Sequence, residues 1–161
     1  MNKYKLAISV SLTIIVLDQI TKWVIRTNLP LYTRINVLPF FDITHLRNTG
    51  AAFGILRDLP ENLRFPLFVI VLIVAIFAIF LFLKKLTAND RLLIVSLALI
   101  LGGAIGNSID RFRFGYVTDF LGFHWFGNLQ YQWPPFNVAD SAITIGVILI
   151  LFDTFFLKRG K

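Results

Sequence analysis

Three stretches of the chain are apolar almost without interruption: Pro66–Leu83, Leu92–Ile109 and Val138–Leu157. Each approaches the roughly 20 residues of helix needed to cross a hydrocarbon core. A fourth, Leu6–Ile25, is long enough as well, but it carries Asp18, Gln19 and Lys22 toward its far end. Lys3 and Lys5 ahead of that run are also how a signal peptide begins. No small-residue cleavage site follows, and the run meets Asp18 and Lys22, so it reads as a retained first helix. The pattern therefore predicts an all-α membrane protein, one domain over residues 1–161, with transmembrane helices over roughly 6–25, 66–83, 92–109 and 138–157.

Between the first two spans the period changes. Ile35 and Val37 alternate with Arg34 and Asn36, and Phe41, Ile43 and His45 follow, the spacing of short strands. Two or three strands ending at the turn Asn48-Thr49-Gly50, in an outer β region over about 31–57, are the expectation. An irregular loop fits this stretch equally well. Pro66 suits the first turn of the second helix, and Asn89 or Asp90 can cap the third. Ala98, Gly102 and Gly106 recur every four residues on one face of that third helix, which predicts close packing on a neighbour. Phe120–Phe136 is poor in charge and rich in Phe, with Trp125, Tyr131 and Trp133. Such rings favour the headgroup level, so residues of about 112–136 read as an interfacial aromatic loop, either an anchoring belt or a flap over a substrate.

Composition agrees with a lipid solvent: 57% of residues are hydrophobic and 16% charged, against about half and a quarter in a soluble domain. Lys and Arg outnumber Asp and Glu by 16 to 9. In a soluble chain that excess suggests nucleic acid, but here position decides otherwise. Lys3 and Lys5, then Lys84, Lys85 and Arg91, then Lys158, Arg159 and Lys161 crowd three short segments. Under the positive-inside rule these are cytoplasmic. Both termini then face inward, and Arg26–Phe65 and Asp110–Asn137 lie outside, with membrane lipid and no nucleic acid as partner. The absence of cysteine removes disulfides, thiolate nucleophiles and Cys-based metal sites.

Ionisable groups within a membrane are costly and mark function by default. Asp18 and Lys22 are four apart on one helix face, which suits a buried ion pair or a polar support for substrate. Asn107 and Asp110 share a face, and Arg111 beside them can fork two hydrogen bonds to a carboxylate. This group reads as a support for the following loop. Asn137 and Asp140, behind Pro134 and Pro135, approach a capping box. A carboxylate one turn inside an apolar span is nevertheless a costly choice for a cap alone. Asp119, between Thr118 and Phe120, is the other outer acid flanked by apolar residues.

Two such carboxylates brought together share one proton, because both cannot ionise cheaply. The ionised member can take a proton from water attacking a peptide carbonyl, while the protonated member supplies one to the carbonyl oxygen and later to the leaving amine. That chemistry requires no metal, no cofactor and no covalent intermediate. Other hydrolytic designs fit less well. The histidines are His45 and His124, without an HExxH motif. Ser108 or Ser141 could pair with Lys22 as base, but no Gly-x-Ser-Gly element occurs. The Gly-x-Gly-Asp element of presenilin-type proteases is also missing.

Five blocks stand in order along the chain: Asp18 to Lys22, Arg47-Asn48-Thr49-Gly50-Ala51-Ala52-Phe53, Gly102 to Arg111, Val117-Thr118-Asp119-Phe120, and Phe136-Asn137-Val138-Ala139-Asp140-Ser141. As a set they resemble the signature blocks of bacterial lipoprotein signal peptidase, also called signal peptidase II. The resemblance implies an aspartyl endopeptidase of the bacterial inner membrane that cuts prolipoproteins just before a diacylglyceryl-modified cysteine. It implies Asp119 and Asp140 as the catalytic pair. Asp18, Lys22, Asn48, Gly50, Asn107, Asp110, Arg111 and Asn137 would bind substrate or support the site. It further implies a small extracytoplasmic β-cradle between the first two helices and inhibition by cyclic peptides such as globomycin. Thr118 departs from the valine common at its position. The strand region and Phe120–Phe136 would then clamp substrate from two sides. Two rival readings stand beside this one. A proton-coupled transport component would spread polar residues through the depth of the bundle, and a non-catalytic scaffold would tolerate loss of either aspartate.

Overall fold

A computed structural model describes residues 2–50, 59–125 and 128–157. In chain order the elements are α1 (Lys3–Asn28), β1 (Arg34–Leu38), β2 (Phe41–Asn48), α2 (Glu61–Lys85), α3 (Arg91–Phe114), β3 (Val117–Trp125), β4 (Asn128–Phe136) and α4 (Val138–Phe156). All four helices are long and apolar enough to cross a membrane. Residues 51–57 of the expected β region and the basic residues Lys158, Arg159 and Lys161 lie outside the described residues.

Local chemistry explains most helix ends. Asn2 caps α1, accepting from the Tyr4 N–H at 2.9 Å. The helix stops at Leu29, which is extended because Pro30 follows it. Gly115, at φ 76°, closes α3 in the left-handed conformation that glycine adopts without steric cost. Asp90 holds the N-cap position of α3, but its carboxylate turns back to accept from the Thr87 backbone and hydroxyl at 2.7 and 2.8 Å. The start of α2 differs from expectation. The helix begins a turn earlier, after Pro60, so Pro66 is inside it rather than in its first turn. The bond Pro66 cannot donate would have gone to Asn62, an exposed residue at the polar end of the helix, where the loss is cheapest.

The small residues of α3 let three backbones meet. Ala98, Gly102 and Gly106 face α1: the Ser11 hydroxyl donates to the Ala98 carbonyl at 2.8 Å. A Cβ at Gly102 would stand 2.8 Å from the Ser11 carbonyl oxygen. Gly103 faces α4, and a Cβ there would run into the Ala139 carbonyl. Gly103→Ala is therefore expected to destabilise the protein by about 1–3 kcal/mol, read as a lowered thermal midpoint in detergent. An unchanged midpoint would mean that α3 and α4 separate freely. At the end away from the sheet, Ala7, Ile79, Leu83, Ile94, Leu97 and Ala98 form a core. There the Lys3 ammonium donates to the Lys84 and Leu86 carbonyls at 3.1 and 2.7 Å, covering the end of α2. Elsewhere α2 leaves Ile70, Ile73, Val74 and Phe77 more than half exposed, as suits a helix solvated by lipid.

The strands form one antiparallel sheet in the order β1-β2-β3-β4. The segment expected as an interfacial aromatic loop is thus largely a hairpin, β3 and β4, that extends the first hairpin. Pro134 and Pro135 disguise β4, yet they are tolerated because β4 is an edge strand. The two segments expected to clamp from opposite sides are neighbours, with Asn48 paired to Val117 and Leu46 to Asp119. They build one wall, not two jaws. On one face of this sheet Asp42 gathers Arg34, Asn36 and His124 at 3.0 to 3.1 Å, pinning three strands. The other face carries an aromatic cluster, with Phe123 against Phe41 and Phe136 at centroid distances of 4.9 and 5.8 Å.

Candidate active site

Asp119 reaches its place through the turn at Gly115, which folds β3 back beside the end of α3. The Thr118 N–H donates to Asp110 Oδ2 at 3.0 Å and secures that return. The Asp119 carboxylate is 3% exposed and accepts one amide on each oxygen: Asn137 Nδ2 at 2.7 Å on Oδ1 and Asn48 Nδ2 at 3.0 Å on Oδ2. Asn48 is itself oriented by the Gly50 N–H, which donates to its Oδ1 at 3.0 Å. That bond leaves the amide nitrogen to face the acid.

Asp140 sits in the first turn of α4 and completes the capping box that its spacing suggested. The Asp140 N–H donates to Asn137 Oδ1 at 2.9 Å, and the Asn137 N–H donates to Asp140 Oδ2 at 3.2 Å. Cap and candidate catalyst are the same residue, because Oδ1 remains directed to Asn107, whose Nδ2 donates to it at 2.8 Å. Asn137 therefore touches both acids, and Asn107 Oδ1 accepts from Asn137 Nδ2 at 3.1 Å. Both carboxylates line a cavity of about 890 Å³, together with Asn48, Asn107 and Arg111 at its polar head. Its apolar body runs between α2, through Phe68 and Leu72, and α4, through Ile143 and Ile145. Burial, and then the charge of Asp140, push the Asp119 carboxyl up to about 7, against the amides of Asn48 and Asn137 and the charge of Lys22.

Behind the acids lies a buried charge cluster. Lys22 Nζ is 2.8 Å from Asp18 Oδ2 and 3.6 Å from Asp110 Oδ2, with all three side chains fully buried. It also donates to Asn107 Oδ1 at 2.8 Å. Gln19 Nε2 reaches Asp18, Asp110 and the Gly106 carbonyl at 3.1 to 3.2 Å. Arg26 Nη1 lies 3.4 Å from Asp110. Two acids thus face two bases, and their formal charges cancel. Asp18 Oδ1 also accepts the Ala139 N–H at 3.0 Å. That is one of the amides a helix leaves unpaired in its first turn, so the first helix caps the fourth beside Asp140.

Arg111 departs from expectation. Among the described residues it forks to no carboxylate: Nη2 donates to the Gly50 carbonyl at 2.9 Å, Nη1 to the Asn107 carbonyl at 3.5 Å, and the guanidinium covers the Phe68 ring at 4.3 Å. The nearest acid in sequence, Asp110, is already occupied by Lys22, Arg26 and the Thr118 N–H. Of the residues expected at the site, Asn48, Asn107, Arg111, Asp119 and Asp140 line the cavity, whereas Asp18, Lys22, Gly50, Asp110 and Asn137 stand behind it. Sequence reading missed Arg26, placing it in an outer loop. Its spacing was the available signal, since Asp18, Lys22 and Arg26 follow one another at intervals of four.

Fold and site together define a multi-pass α-helical membrane protein with two acids, Asp119 buried and Asp140 half-buried, at the head of a cavity between its helices. Residues 10–156 match the family described as Signal peptidase (SPase) II, and the chain belongs to that family. It is 45% identical over 159 residues to the lipoprotein signal peptidase of Geobacter sulfurreducens, covering 98% of this chain and 96% of that one. It is 43% identical over 150 residues to the lipoprotein signal peptidase of Syntrophotalea carbinolica, covering 92% and 90%. A solved structure described as a bacterial membrane enzyme superposes with a TM-score of 0.79 at 36% identity, covering 96% of this chain and 93% of its own. The resemblance carried by the five sequence blocks is thereby shown.

Proposed function

We propose that this chain is an aspartyl endopeptidase that removes signal peptides from prolipoproteins, cutting before a diacylglyceryl-modified cysteine. The observation that carries the reading is the pair Asp119 and Asp140, bridged by Asn137 at the head of a cavity whose body is apolar. Asp119, pushed up to about 7 by burial and the charge of Asp140, is suited to carry the proton near neutral pH. Asp140 then takes a proton from the attacking water. Asp119 protonates the carbonyl oxygen as the tetrahedral diol forms; as the C–N bond breaks, the proton held by Asp140 passes to the departing amine and a diol hydroxyl returns its proton to Asp119. Asn48, Asn107 and Asn137 hold the two acids in register, and Lys22, Asp18, Asp110, Arg111 and Gly50 hold those amides and the helix ends beneath them.

The apolar body of the cavity suits acyl chains and the hydrophobic part of a signal peptide, and cyclic peptides such as globomycin would compete for the same space. Binding energy gained there, remote from the scissile bond, helps to position it. The sheet end faces the extracytoplasmic side of a bacterial inner membrane in this reading, with both termini cytoplasmic. Support comes from Lys3, Lys84, Lys85 and Arg91 gathered at the opposite ends of the helices.

Purified protein in detergent is expected to cleave a signal-peptide substrate bearing a diacylglyceryl cysteine at least about 100-fold faster than the same peptide with an unmodified cysteine, a loss of remote binding energy. Equal rates would remove the lipid from the substrate definition. An inert but folded protein would overturn the peptidase reading.

A further inference from the structure

Thr118, the residue before Asp119, is fully buried and engages every polar atom it has. Its N–H donates to Asp110 Oδ2 at 3.0 Å, its carbonyl accepts from Asn137 Nδ2 at 3.4 Å, and its hydroxyl accepts from Arg26 Nη1 at 3.1 Å. Arg26 is the next turn of α1 after Lys22, with its guanidinium 4.7 Å from the Phe114 ring. The same Nη1 lies 3.4 Å from each oxygen of Asp110, so its shortest hydrogen bond goes to the Thr118 hydroxyl. A valine would fill the same space and leave that donor with only the longer contacts.

Strand geometry links this bond to the acid. Successive side chains point to opposite faces of a strand, so a Thr118 side chain held toward α1 turns Asp119 away from α1, toward Asn137 and the cavity. The β2–β3 ladder shifts register between Ile43 and Leu46, immediately before the pairing of Leu46 with Asp119. Leu46, Arg47 and Asn48 pair in regular register with Asp119, Thr118 and Val117, so Asp119 is the last residue before the irregularity, and the bond from α1 braces β3 where the regular pairing ends. We propose that Arg26 and Thr118 act together as positioning residues for Asp119, with Arg26 holding the strand through the threonine hydroxyl. The proposal rests on the reading of Asp119 as one of the catalytic pair.

The test compares Thr118→Val, Thr118→Ser, Arg26→Lys and the double variant Thr118→Val/Arg26→Lys with wild type on the diacylglyceryl-cysteine substrate, with Asp119→Asn alongside. Thr118→Val is expected to lower kcat about tenfold, part of the worth of a hydrogen bond to a charged donor, with KM within about twofold. Its alkaline limb in the kcat–pH profile should move to lower pH, because an Asp119 that swings from burial and from Asp140 gives up its proton more readily. Thr118→Ser, which keeps the oxygen, should recover most of kcat. Arg26→Lys should cost a similar factor and add little to Thr118→Val, since both remove one interaction.

A wild-type kcat and pH profile in Thr118→Val overturns the proposal. So does a loss in Thr118→Ser equal to that in Thr118→Val, or a double variant whose losses simply multiply. Should Thr118→Val fail to fold, the serine and lysine variants decide alone: a near-wild-type serine beside an impaired lysine supports the pair, and any other combination overturns it. Normal cleavage by Asp119→Asn instead removes the underlying reading, so the two failures are told apart.

Discussion

Asp119→Asn and Asp140→Asn are each expected to lower kcat by about 10³-fold or more while leaving the protein folded, the range lost when a positioned general acid or base is removed. The geometry makes these substitutions informative. Asp119 accepts one amide on each oxygen and Asp140 accepts two N–H groups, so asparagine keeps the size and removes the charge and the acidic proton, while its amide nitrogen, which only donates, gives up one of the accepted bonds. Asp140→Asn costs part of the cap on α4, and its folding is checked by thermal midpoint. A variant that cleaves normally would remove that residue from the pair.

The same substitution has a signature in stability. The Asp119 carboxyl titrates near 3.8 when unfolded and about 7 when folded. Between those values the folded state binds more protons than the unfolded one, so this group makes stability fall as pH rises, a penalty complete above about 7. Asp119→Asn should therefore flatten the decline of the thermal midpoint between about pH 4 and pH 7. A decline as steep as in wild type would show that the carboxyl pays no such cost of burial.

Lys22→Met is expected to destabilise the protein by about 3–5 kcal/mol, the usual result of removing one partner from a buried ion pair. Lys22 stands between Asp18 and Asp110 and also donates to Asn107 Oδ1. Methionine would fill the space but leave two buried carboxylates with Arg26 as the one cation beside them, at Asp110, and only neutral donors at Asp18. Since Asp18 caps α4 at Ala139 and Asn107 holds Asp140, the loss should extend to the site, lowering kcat even at temperatures where the variant is folded. A thermal midpoint within a degree or two of wild type would show that the cluster is not a structural charge balance.

The four spans and the acids near their ends were legible in the chain because lipid imposes a simple rule: about 20 apolar residues in a row, with each charge inside them needing a reason. Asp18 and Lys22 could be paired on one face from their spacing alone, and so could the cap formed by Asn137 and Asp140. These are local relations, set by helical pitch. The hairpin β3–β4 was not legible, because Pro134 and Pro135 argue against a strand unless it is known to be an edge, and edge status depends on which strands lie beside it. Arg111 could not be assigned either. Its partner is the carbonyl of Gly50, 61 residues away, while the acid next to it in sequence is taken from α1.

By itself, then, the sequence determined how many helices there are, where charge enters them, and which residue types are available for chemistry, since each follows from composition and spacing within one element. Only the tertiary structure decided that Asp119 and Asp140 share a cavity, that Asn137 touches both, and that Arg26 reaches the strand carrying Asp119. Those relations join α1, β3 and α4 across the small residues of α3 and the pairing of β2 with β3. Close approach of backbones from distant parts of the chain depends on how all the elements pack, and no window of sequence contains it.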